Sequence, residues 1–134
     1  MCDIGKETKL REVTVYKAVR KWTTADGLTY VSPFANAPIS PGRMTKDDTY
    51  ADNIEDGLYN THMIGRVSGF ADPGPAWELC RGRDRIVLKI VLGSTDDMPI
   101  LEGTARGISL NIPDRRVTYA GPVVLRMEEF KRRI

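Results

Sequence analysis

Histidine is almost missing from this chain: His62 is the only one in 134 residues. A single imidazole cannot supply a paired HExxH zinc site. A Cys–His nucleophile would have to join His62 to Cys80, and the sequence offers no third group to orient them. Cysteine is equally scarce. Cys2 and Cys80 make no disulfide framework, and two thiols alone cannot hold a structural zinc ion. No metal is expected. Long apolar runs are lacking too, none approaching the roughly 18 residues needed to cross a bilayer. The opening MCDIGKETKLREV carries charges where a secretory leader carries an apolar block. A cytoplasmic protein with reduced thiols and no membrane contact is the expectation.

Charge of one sign is also in short supply. Twenty Lys and Arg stand against 18 Asp and Glu, a net charge of +2 that does not advertise a nucleic-acid surface. The local clusters RGRDR (81–85), DRR (114–116) and KRR (131–133) could join into a basic patch, and the plainer reading makes them solvated turns and a charged tail. Aromatic residues are few and do not interleave with basic ones as single-strand binders require. The signatures GxxxxGK[ST], GxGxxG and GxSxG are absent, which removes phosphate loops, dinucleotide folds and nucleophile elbows of those kinds.

What is present reads as strands. The length suits one domain with a single core, here spanning about 10–130. VTVYKAV (13–19) alternates with Val13, Val15 and Val19 on one face and Thr14, Tyr16 and Ala18 on the other. Lys17 falls in the apolar phase, so either its stem lies along the core with the head in water, or the head has a partner in a cleft. Asp26-Gly27 marks a turn into a second strand, LTYVSPF (28–34). Residues 35–56 form a long loop of the kind that often carries binding. GLYNT reads as a brief extended segment, followed by a helix with Met63, Val67 and Phe70 on one face. Asp72-Pro73-Gly74-Pro75 should terminate that helix, and AWELC after it reads as a short turn. RIVLKIVLG (85–93), apolar on both faces, predicts a central strand. GISLNI (107–112) and RVTYAGPVVLRM (116–127) alternate as strands, the latter with an edge position or a break imposed by Pro122.

The order VYKAV, GLYNTHMIGRVSGF, RIVLKIVLG resembles the core of ADP-ribosyltransferase-like domains of the poly(ADP-ribose) polymerase branch. Gly57-Leu58-Tyr59 matches that family's Gly-Ile/Leu-Tyr segment, and Val91-Leu92-Gly93 its strand ending in an ALG-like turn. VTYAGPVVLRM is similar to its terminal strand. The resemblance implies an α+β, β-rich single domain in which two small packed sheets, with one or two short helices, flank a cleft for NAD or a related nucleotide. It places Tyr16 and Lys17 where the family carries its first-strand histidine or arginine. It places Tyr59 at the nicotinamide and His62 at the cleft rim, where a water-exposed helix-start residue is the plainer alternative. The sequence departs from the family at its catalytic glutamate. Aligned through Tyr119, that position holds Arg115, whose charge has the wrong sign to support the departing nicotinamide. Asp114 is adjacent in the opposite strand phase, and Glu102, expected in a loop after Leu101, is the other candidate acid. Nucleotide recognition with transferase activity weakened or lost is the resulting expectation. The alternative is a non-enzymatic inhibitor or adaptor that engages a protein partner through the 35–56 loop and the basic clusters.

Overall fold

The computed structural model describes residues 2–8, 11–31, 38–42, 66–82, 84–105 and 116–131. Its longest element is β2 (Glu12–Thr24), preceded by β1 (Cys2–Thr8) and turned back into β3 (Gly27–Val31). The turn follows from its residues. Gly27 adopts a φ of 117° that a side chain would resist, and Thr24 Oγ1 accepts the Asp26 N–H at 3.3 Å while donating to the Gly27 carbonyl at 3.1 Å. The remaining strands are β4 (Pro38–Ile39), β5 (Val67–Phe70), β6 (Ile86–Gly93), β7 (Ile100–Ala105), β8 (Arg116–Gly121) and β9 (Val123–Glu129).

Every described pairing is antiparallel, and the nine described strands are joined through shared pairings. The order β1-β7-β8-β5-β2 continues through β6 to β9, while β3 and β4 extend from the second half of β2. Strand β6 lies between β2 and β9, as its two apolar faces predict. The chain passes from β8 to β9 through Gly121-Pro122, so Pro122 does break the segment into two strands. At that corner a side chain on Gly121 would come within 2.8 Å of Leu92 Cβ, and glycine is what lets β8 cross β6 closely.

Three expectations from periodicity fail here. The segment around Val67 and Phe70 is strand β5 and not a helix, because both of its faces are buried and its neighbours β2 and β8 satisfy its backbone. The prolines after it start the helix α1 (Pro73–Cys80) instead of ending one. Pro73 stands in the first turn, where its missing N–H would have had no intrahelical partner anyway. Glu102 lies within β7 and not in a loop. Strand β1, paired along its length to β7, was not anticipated at all. GISLNI and most of the 35–56 loop fall outside the described residues; of that loop, β4 and the turn at Pro41-Gly42 are seen.

The core follows the phase of β2. Val15 and Val19 pack with Leu88, Ile90 and Leu92 of β6, Val67 of β5, Val124 of β9 and Ile39, all buried. Each such side chain contributes about 1.5–3 kcal/mol by leaving water. The opposite face of β2 meets α1 in a second cluster, in which Phe70, Ala76 and Val87 are joined by Tyr16, Trp77 and Phe130. Tyr16 meets Phe130 edge-on at 5.0 Å between ring centroids.

Candidate functional site on the inner face of the sheet

Lys17 shares its face with Val15 and Val19, so an ammonium enters the apolar side of the sheet. Its residue is only 9% exposed, and Nζ donates to the Ser68 carbonyl of β5 at 3.0 Å. The head therefore does have a partner and does not snorkel to water. The approach of β5 that makes this possible depends on Gly69. A Cβ there would stand 2.6 Å from Val15 Cγ2 and 3.0 Å from the Tyr16 carbonyl. No ordinary side chain fits that gap.

Gly69 opposes Tyr119 of β8, and Tyr119 opposes Glu102 of β7, which places the three in one cross-strand row. Directly opposed residues project to the same face with Cβ atoms about 4.5–5.5 Å apart. Gly69 faces Val15, and Tyr119 packs against the same core. Glu102 thus shares the inner face with Tyr119 and Lys17, and Tyr119 and Glu102 are both half-buried. A phenol and a carboxylate stand along this row beside a glycine, and the Lys17 ammonium shares their face.

Tyr16, by alternation, points to the α1 side, away from Lys17, and its ring is taken up by Phe130. Of the candidate residues, Tyr59, His62, Asp114 and Arg115 lie outside the described residues. Periodicity marks Lys17 and does not reveal the row. The signal that could have found it is Gly69 within VSGF, where a glycine amid β-forming residues marks close backbone approach more naturally than a weak helix.

Two other polar groupings frame the sheet. Glu129 of β9 receives the Lys21 ammonium at 2.7 Å and the Tyr30 hydroxyl at 3.3 Å, tying the base of the β2–β3 hairpin to the end of β9. The hydrogen bond from Lys21 holds the Glu129 carboxyl below its ordinary range, and the same bond raises Lys21. Burial raises the Tyr30 phenol, with the Glu129 charge adding to it. Burial also pushes the Cys80 thiol up, against the opposing pull of Arg85, which leaves it a poor nucleophile at neutral pH. Arg66, buried at the entry to β5, donates from Nε to the Pro99 carbonyl at 3.2 Å.

Among the described residues no group of three or more His, Cys, Asp and Glu gathers to hold a metal, and no helix is long and apolar enough to cross a membrane. Comparison with protein-family models, with curated proteins and with solved structures found no match.

Proposed function

We propose that this chain is a divergent ADP-ribosyltransferase-like domain that takes NAD or a related nucleotide, with any transfer chemistry resting on Glu102. The observation that carries this reading is the common face of Lys17, Tyr119 and Glu102 around Gly69. The segments that resemble the family support it, since VYKAV falls in β2, IVLKIVLG in β6 and VTYAG in β8.

A dinucleotide asks three things of such a surface. Its phosphates and ribose hydroxyls need a cation, which Lys17 supplies. Its rings need a flat partner, a task shared by Tyr119 and, in this reading, Tyr59. Its nicotinamide ribose needs a carboxylate to accept a hydroxyl proton in a hydrogen bond and to offset the positive charge that develops as the glycosidic bond breaks. This reading assigns that role to Glu102, with Asp114 as the reserve candidate, and gives His62 a contact at the rim. Arg115, in place of the family's glutamate, favours holding an anion over expelling nicotinamide. Binding with slow or absent turnover is the outcome of that balance.

Titration calorimetry with NAD, run beside chromatographic detection of nicotinamide, separates the parts of the proposal. Lys17→Met keeps the stem and removes the charge; it should weaken NAD binding about ten-fold, the worth of roughly 1.4 kcal/mol. His62→Ala should weaken it less. Glu102→Gln should keep the binding heat and abolish whatever nicotinamide release the parent shows. Neither heat nor nicotinamide at millimolar NAD would remove the reading, and undiminished binding by a folded Lys17→Met protein would move the site elsewhere.

A further inference from the structure

Strand β9 pairs with β6 on one side, and no described strand pairs with it on the other. Its main-chain direction can be read from two bonds. The Phe130 N–H donates to the Val87 carbonyl at 2.8 Å, so Phe130, and by alternation Glu128 and Arg126, turn their backbone groups toward β6. Met127 and Glu129 therefore turn theirs outward. At the start of the strand the register shifts between Val91 and Leu92, and the backbone of Val124 turns outward, where its carbonyl accepts the Gly42 N–H at 2.6 Å. The turn at Pro41-Gly42 thus meets this edge at Val124, and no other described strand pairs along it.

The side chains along that edge have a symmetry of their own. Arg126 and Glu128, both exposed, flank Met127 at equal distance and lie on the same face of the strand. If a second β9 ran antiparallel beside the first with Met127 opposite Met127, each Arg126 would stand opposite the Glu128 of the other copy. The closely spaced pair at the centre would exchange two main-chain hydrogen bonds. Sliding the pairing by one residue to centre on Glu128 would set like charges face to face, which is unfavourable. The sequence thus distinguishes one register. A hollow of about 610 Å³ borders the strand, lined by Pro41, Lys89, Val91 and the run Leu125–Glu128. Leu125 is 40% exposed there.

We infer that the outer edge of β9, which no described strand pairs, is a self-complementary interface at which a second copy of this chain adds its own β9 across a two-fold axis at Met127. An isologous contact of this kind uses each charge pair twice. The pre-existing contact of Arg126 with Glu12, 3.6 Å apart on the surface, is weak enough to yield to it. The interface is small, so the dimer is a weak and reversible one.

Sedimentation velocity of the full chain from about 10 µM to about 1 mM, where a contact of a few kcal/mol dissociates, is the direct test. A monomer–dimer equilibrium is expected. Arg126→Glu alone, or Glu128→Arg alone, converts both cross-dyad attractions into repulsions and should weaken dimerisation about ten-fold. The double reversal R126E/E128R restores complementarity and should recover the parent constant. Circular dichroism and thermal melting of each variant confirm that it is folded. A chain that stays monomeric throughout the range overturns the inference, and so does a dimer indifferent to the single reversals or one that the double reversal fails to restore.

Discussion

The two halves of strand β2 differ more than any other two stretches of the molecule. From Val15 to Val19 four of the five residues are buried, with β6 on one edge and β5 crossing near the other. From Lys21 to Thr24 the same strand pairs only with β3, and every residue is exposed, Trp22 by 52%. Across the hairpin Leu28 is 53% exposed. The composition of the two halves does not explain this, because both carry β-branched and aromatic residues. A strand is buried by what is laid against it, and the second half of β2 has a partner in the sheet but, among the described residues, no layer over either face. The hairpin holds its form through the turn at Gly27 and through the anchor of Lys21 and Tyr30 on Glu129.

That contrast can be broken in three places. The largest effect belongs to Ile90→Ala, which empties a fully buried site opposite Val15 and should cost about 2–5 kcal/mol in chemical denaturation. A loss below 1 kcal/mol would mean that the cluster around Val15 is not the core. Next comes Gly69→Ala, with a cost of about 1–3 kcal/mol, because the new methyl must displace Val15 and the Tyr16 backbone together. Val15→Ala added to Gly69→Ala should be less than additive, since the smaller residue makes room. The smallest change is at the bare end. Trp22→Ala should alter stability by no more than about 0.5 kcal/mol, and a larger loss would show that the hairpin is covered in solution.

How much of this was legible beforehand depended on whether a residue's phase or its neighbours decided its fate. The first half of β2, β6 and the broken β8–β9 segment are legible as strands, from the alternation of Val13–Val19, the short two-faced apolar run Ile86–Leu92 and the break at Pro122, while the register shift in β9 that buries Val124 and exposes Leu125 has no sequence signal. Lys17 stood out for the same reason, and its partner did not, since Ser68 is distant in sequence and contributes a main-chain oxygen that has no sequence signature. Strand β5 was misread because Met63, Val67 and Phe70 happen to fit a helical period, while the four residues of VSGF are too few to show their own. Glu102 was displaced into a loop because ILEGTA mixes a glycine and an acid into a strand whose partners, β1 and β8, supply the order it lacks. Half of the candidate site was therefore visible as an anomaly and half only as a register.

Among the described strands β1 pairs with β7 alone, and the ladder runs from Cys2 opposite Ala105 to Thr8 opposite Ile100. The pairing joins segments about a hundred residues apart in sequence and so closes a long loop, whose entropic cost grows only slowly with length. The strand that carries Glu102 is thus ordered on one flank by a segment far from it along the chain.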